Sequence, residues 1–279
     1  MKLDAAQFRN WDRKAITLLG MSGVGKTRLA CLLRNAHWFH YSGDYRIGTH
    51  YLSEAMSDNV KQKAMQVSLL KKLLLSDSIT VNNNISVDNL KAVSTFLGQL
   101  GDPEKGGLGL REFKRRQNLH REAEISAMLD VPDFIKRSHD VYDYSHFIND
   151  AGGSLCELEN ESVLKTLAEN TLIIYIRATE QDEVELIKRA KQAPKPLYYR
   201  EAFLDEQLEI YLEENNLAYA ALIDPNDFVR WVFSRLFYNR IPRYQAIADE
   251  YGYTLSTNDI SKVKSETDFL ALIEKQLSQ

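Results

Sequence analysis

Polar and apolar positions along this chain alternate between two rhythms. Short segments of strand length, rich in β-branched or aromatic residues, occur at residues 14–19, 36–41, 142–149 and 171–176. The last of these, Thr171-Leu172-Ile173-Ile174-Tyr175-Ile176, is apolar throughout apart from its first residue. Such a run suits a strand covered on both faces, as in the middle of a parallel sheet. Between these segments apolar residues recur at steps of three and four, the helical rhythm. Residues 54–75 read as one helix, with Met56, Val60, Ala64, Val67, Leu70 and Leu74 forming a core-facing stripe. A second helix is expected over 88–100, capped by Asp88, and a third over 110–129, after the glycine-rich loop 101–109. Further helices are expected over 182–191, over 201–239 with a new start at Asp224-Pro225, and over 267–277. Residues 193–200 break the pattern, and Arg240 to Tyr244 precede a last helical stretch and a short strand at 253–255. Residues 1–13 form a polar lead-in. Strands alternating with helices predict an α/β class with a mostly parallel sheet.

One stretch gives that sheet a purpose. Gly20-Met21-Ser22-Gly23-Val24-Gly25-Lys26-Thr27 follows the first strand and opens a helix of good helix-forming composition. It reads G-x-x-x-x-G-K-T, the phosphate-binding loop. The glycines let the backbone bring several N–H groups onto one anion, and the following helix points its positive end at the same place. Gly20, Ser22, Gly23, Val24, Gly25, Lys26, Thr27 and Arg28 are therefore expected to hold a nucleotide. Lys26 reaches the β- and γ-phosphates and the Thr27 hydroxyl ligates Mg²⁺.

Ligands of open α/β sheets bind at the carboxyl ends of the strands. Ser42-Gly43-Asp44-Tyr45-Arg46-Ile47-Gly48 reads as a turn leaving the second strand. Asp44 is expected there as a substrate ligand or base and Arg46 as an anion clamp; the alternative is a turn-forming aspartate and a solvated arginine. Asp150-Ala151-Gly152-Gly153 leaves the next strand. Asp150 stands where a carboxylate would reach Mg²⁺, and Gly152 and Gly153 let backbone approach a substrate closely. The helix at 110–129 carries Arg111, Lys114, Arg115, Arg116 and Arg121. Such a face is ordinarily solvated, and in a phosphoryl-transfer protein Arg115 and Arg116 are candidates to bind an anionic substrate. His37 and His40, three apart on a strand, would face opposite ways and make poor co-ligands.

Composition narrows the partners. The 279 residues include 35 Lys and Arg against 39 Asp and Glu, a net charge of −4. That balance offers no broad basic field for nucleic acid. No apolar run approaches the roughly 20 residues of a membrane span. Two cysteines, Cys31 and Cys156, suggest a reducing compartment, and with no apolar leader at the amino terminus a cytoplasmic location is expected. The oligomeric state is left open.

The order of these elements resembles the small-molecule kinases of the P-loop class, shikimate kinases most of all. The phosphate loop carries the resemblance, together with Asn149-Asp150-Ala151-Gly152-Gly153, the strand and helix from Thr171 to Arg189, Pro194-Lys195-Pro196-Leu197, and Arg240-x-Pro242-x-Tyr244-x-x-Ile247-Ala248-Asp249. It covers about half of the chain. It implies a three-layer P-loop NTPase fold in a single domain over residues 1–279. Residues 52–140 would be a helical insertion, and 190–240 a lid with extra helices. It also implies that Asp44 holds the acceptor hydroxyl and that Arg240 contacts substrate or nucleotide. Lys195 stands where the family's lid usually has arginine, and the extra length puts shikimate itself in doubt as a substrate.

The expectation is thus an ATP- and Mg²⁺-dependent phosphotransferase acting on a small hydroxylated, anionic molecule, with Lys26, Asp44, Asp150 and Arg240 catalytic and Thr27 and Asp150 on the metal. ATP is assumed over GTP; the absence of a guanine-reading N-K-x-D motif disfavours guanine only weakly. The alternative is an ATPase switch whose nucleotide state moves residues 52–140 to bind or release a protein partner.

Overall fold

A computed structural model describes residues 2–278. Five strands form one parallel sheet: β1 (Ala15–Leu19), β2 (Trp38–Ser42), β3 (His146–Asp150), β4 (Leu172–Arg177) and β5 (Gly252–Ser256), in the order β2-β3-β1-β4-β5. Every residue of β1 is buried, as is β4 up to Arg177, because helices cover both faces.

The chain enters through α1 (Ala5–Arg9), and β1 leads through the glycine-rich loop at 20–25 into α2 (Lys26–Arg34). From β2 it continues as α3 (Gly43–Arg46), a π-helical turn at Ile47–Tyr51, α4 (Ser53–Ala64), α5 (Ser68–Leu75), α6 (Lys91–Leu97), α7 (Leu110–Leu129) and α8 (Val131–Asp140). After β3 come α9 (Glu161–Asn170), then β4, α10 (Glu180–Gln192), α11 (Glu201–Glu214) and the long α12 (Pro225–Tyr251). Past β5, α13 (Thr257–Lys262) and α14 (Glu266–Leu277) close the chain. One layer of helices includes α2, α13 and α14; the other includes α8, α9 and α12. β2 shows the division. Trp38 meets Phe269 of α14 edge to face, while Phe39 and Tyr41 meet Phe134 of α8. No helix among the described residues is long and apolar enough to cross a membrane.

Several local expectations are corrected. Residues 42–48 do not turn loosely: the Ser42 hydroxyl caps α3, accepting from the Tyr45 N–H. The expected single helix over 54–75 splits into α4 and α5, because Val67 between them is extended. Its apolar stripe is core only in part. Met56 is buried, but Val60 is 46% exposed and Val67 50%. α6 starts after Leu90 without a side-chain cap, so Asp88 does not cap it. The chain does not break at Arg240 to Tyr244; α12 runs straight through Pro242. Burial of Arg240 and Tyr244 on either side holds the helix against the lost N–H.

A second, smaller core lies between α7, α11 and α12. There Phe113 packs with Tyr199, Phe203, Leu208, Phe228 and Val232. The loop at 193–199 is tied to α7 by Gln117, whose amide donates to the Leu197 carbonyl and accepts from the Tyr199 N–H.

Candidate functional site

The parallel register brings three strand ends level. Ser42 lies opposite Asp150, and Asp150 opposite Leu18, so β1, β3 and β2 end together. The loop at 20–25, the turn after Asp150 and the first turn of α3 therefore meet above the same edge. They enclose a cavity of about 260 Å³ lined by Ser22, Gly23, Gly25, Lys26, Thr27, Arg28, Asp44, Asp150, Ala151 and Gly153.

Gly25 stands at the amino end of α2 with φ 100°, a left-handed conformation that needs glycine. Lys26 is buried, and its ammonium donates to the Gly20 and Met21 carbonyls at 2.8 and 3.1 Å. No carboxylate among the described residues lies in ion-pair contact with it. Burial lowers its pKa, opposed by the charges of Asp150, Asp44 and Glu124. A desolvated cation spent only on carbonyls, beside backbone N–H groups at a helix start, fits a phosphate. Thr27 donates to Asp150 Oδ2 at 2.6 Å. A hydroxyl and a carboxylate joined in this way fit a hydrated Mg²⁺. Bound there, Mg²⁺ would neutralise phosphate charge.

Asp44 is half-buried on the cavity wall. Its carboxyl is raised by burial and by the charge of Asp150, against the pull of Lys26. A carboxylate with a raised pKa beside a phosphate site suits a proton acceptor.

Behind Asp44 lies Glu124, fully buried. Its Oε2 accepts from the Ser154 hydroxyl at 2.6 Å, and its Oε1 has no partner. Burial raises its carboxyl to about 7, with Asp44 adding to the effect. Gly152 makes this approach possible: a Cβ there would sit 2.5 Å from Glu124 Oε1 and 3.3 Å from Asp44 Oδ1. His120, one turn earlier on α7, lies 3.8 Å from Glu124 Oε2, and burial lowers its pKa to about 4. On the other side of the sheet edge, the His40 side chain is 2% exposed, with Nε2 3.7 Å from Asp150 Oδ2.

Sequence reading did not reach Glu124, His120, Ser154 or the placing of His40 beside Asp150. A signal existed for the first two. On α7 the buried line of Phe113, Gln117, His120, Glu124 and Ala127 puts polar side chains at core spacing.

The arginines expected to bind substrate are elsewhere. Arg46 Nε donates to Asp130 at 2.8 Å, and its guanidinium stacks over Tyr51 and Phe134. Arg115 is exposed and paired with Glu112. Arg116 is buried against the same Glu112 and the Phe96 carbonyl. None of the three lines the cavity. Arg240, expected to be catalytic, is a buried clamp. It reaches Glu157 at 3.3 Å, the Gly153 carbonyl at 2.8 Å and the Tyr198 carbonyl at 2.7 Å. Each of these guanidiniums is taken by an acid or a carbonyl: Arg115 by Glu112 on its own helix, Arg116 by Glu112 and a distant carbonyl, and Arg46 and Arg240 by partners brought alongside by tertiary packing. Gly153 lines the cavity, and Gly152 faces the two carboxylates.

No protein-family model and no curated protein matches the sequence. Among solved structures the chain is similar to a shikimate kinase from Bacteroides thetaiotaomicron. Identity is 12% and the TM-score 0.41, over 95% of this chain and 99% of that one. It is also similar to a shikimate kinase from Acinetobacter baumannii in complex with shikimate. There identity is 14% and the TM-score 0.41, over 97% of each chain. Likeness this distant decides neither fold nor activity; the sheet order and the loop stand on their own.

Proposed function

We propose that the protein is a Mg²⁺-dependent phosphotransferase that moves the γ-phosphoryl group of ATP to the hydroxyl of a small molecule. The observation that carries this reading is the position of Asp44. It shares one cavity with Lys26, Thr27 and Asp150, and its carboxyl is raised.

Phosphoryl transfer asks a protein for positioning and charge stabilisation more than for covalent chemistry. The backbone of residues 20–25 and the Lys26 ammonium hold the phosphates. Thr27 and Asp150 hold the metal. Asp44 accepts the proton of the acceptor hydroxyl as that oxygen bonds to the γ-phosphorus and the bridging oxygen departs with ADP. Arg240 acts on none of these atoms. It fixes the Gly153 carbonyl, and so the turn that follows Asp150.

The test is ADP release from MgATP by the full chain, alone and with pools of small hydroxylated metabolites. Stimulation by a pool, lost in Lys26→Ala and strongly reduced in Asp44→Asn, is the expected result. Unchanged turnover in Lys26→Ala would overturn the assignment.

A second reading, a nucleotide-driven switch acting on a protein partner, draws on α5. None of its residues is buried, and Leu69 and Leu75 are 65% and 68% exposed. In that case tryptic cleavage after Lys71 and Lys72 would differ between MgATP and MgADP, and no acceptor would raise ADP release.

A further inference from the structure

We infer that residues 59–76 form a surface that docks on an anionic lipid bilayer. The inference does not rest on the phosphotransferase reading, and it gives the face of α4 and α5 a different occupant from the protein partner of the switch reading.

The apolar side chains point there first. Among the described residues, five of the thirteen large hydrophobics that stand exposed fall within this one stretch: Val60, Met65, Val67, Leu69 and Leu75. No residue of α5 is buried, and neither hydrophobic core includes any of its leucines. At helical spacing Leu69, Leu70, Leu73 and Leu74 share one face of α5, and Ser68, Lys71 and Lys72 the other. Leu75 stands at the end of the helix, on the lysine side, 68% exposed. Single exposed apolar side chains are ordinary, but so many in one segment mark an interaction site.

Charge decides the occupant. Between Asp58 and Asp77 the chain carries Lys61, Lys63, Lys71 and Lys72 and no acid, although its net charge is −4. Lys61 is paired with Asp58 at 3.3 Å, and the other three have no carboxylate in ion-pair reach among the described residues. Anionic headgroups attract such lysines wherever they stand on the surface. A protein groove instead reads a helix through anchors three or four residues apart on one stripe. The exposed apolar residues here come from α4, from the link at 65–67 and from both sides of α5, so they share no such stripe. A fluid bilayer needs none. It takes the leucine, valine and methionine side chains at its boundary while the lysine stems carry their charge to the headgroups. No helix among the described residues is long and apolar enough to cross a membrane, so α5 would lie on the surface.

Flotation of the full chain with lipid vesicles tests this. Vesicles of phosphatidylcholine alone are compared with vesicles of phosphatidylcholine and phosphatidylglycerol in equal parts. Binding to the mixed vesicles and not to the neutral ones is expected, with loss at about 1 M salt, where screening shortens to about 3 Å. Lys71→Gln combined with Lys72→Gln should weaken binding about 25-fold, at about fivefold per lysine. Leu69→Gln combined with Leu75→Gln should weaken it as well. All four side chains are exposed, so a melting temperature equal to that of the wild type shows that each double variant is folded. Equal binding to neutral and mixed vesicles would overturn the inference, as would binding unchanged in both double variants. No binding to either kind of vesicle would overturn it too, and would leave the face to a protein partner.

Discussion

Thr27 Oγ1 donates to Asp150 Oδ2 at 2.6 Å, joining the first turn of the helix after the phosphate loop to the end of β3 across 123 positions of the chain. The bond depends on β1 and β3 being parallel neighbours that end level with each other. On the proposed function it would preorganise a hydroxyl and a carboxylate for one metal. Thr27→Ala should raise the Mg²⁺ concentration needed for nucleotide binding about 10- to 100-fold, the usual cost of losing a group that supports a metal site. Thr27→Ser should stay near wild type. A Mg²⁺ titration of nucleotide binding reads both, and equal requirements in the alanine variant and the wild type would contradict the assignment.

Lys26 holds no ion pair among the described residues, so its removal should be a functional change rather than a folding one. Lys26→Ala is expected to lower ATP turnover by about 100-fold or more, the scale of losing one preorganised charge on a developing transition state. Far-UV circular dichroism and the denaturation midpoint should stay close to wild type. A collapse of the midpoint would show instead that the Gly20 and Met21 carbonyls need the ammonium.

Gly152→Ala places a methyl group 2.5 Å from Glu124 Oε1. Relief requires moving a fully buried carboxylate or the turn after Asp150. We expect a loss of about 1–3 kcal/mol, the range for overpacking a filled interior. A urea midpoint lowered with an unchanged slope would report it. No change in midpoint would mean that Glu124 is free to swing away.

Glu124 and His120 impose opposite dependences on pH. Burial lifts the Glu124 carboxyl from its ordinary 4.5 to about 7, so its contribution to stability is full below about pH 4.5 and is lost as pH climbs through about 7. The total is at most about 3 kcal/mol. Burial lowers His120 from 6.5 to about 4, so its contribution is present above 6.5 and lost as pH falls through about 4. In the wild type the two offset each other through the mildly acidic range. Glu124→Gln removes one side, so its stability relative to wild type should rise as pH goes from about 4.5 to 7. Denaturation at several pH values across that window checks it. A constant difference would mean that Glu124 titrates normally.

Arg240 and Glu157 form an almost fully buried pair, with Nε 3.3 Å from Oε1. Arg240→Met should cost about 3–5 kcal/mol, because Glu157 loses a partner without being released to water. The double variant Arg240→Met with Glu157→Gln should recover part of that loss, and a double-mutant cycle measures how much. Simple additivity would show that the two side chains act independently.

What the sequence determined by itself was whatever eight to ten neighbouring residues can fix. The loop at 20–27, the helix it opens and the strand before it form one contiguous unit, and glycine geometry leaves that unit little freedom. The place of Asp44 and Asp150 was legible because the ends of parallel strands all point to one edge. The helix Leu110–Leu129, expected after the glycine-rich loop, has the bounds that were read. Tertiary structure decided the charges. Arg46 was read as an anion clamp, yet Asp130, 84 positions away, takes its guanidinium. Arg240 was read as catalytic, yet Glu157 and two carbonyls enclose it. Glu124 went unread because a glutamate on a helix is ordinarily solvated; only the packing of α7 against the turn at Gly152 removes its water. A side chain's type is local, but its partner and its dielectric surroundings belong to residues far along the chain, and those set whether it binds, braces or reacts.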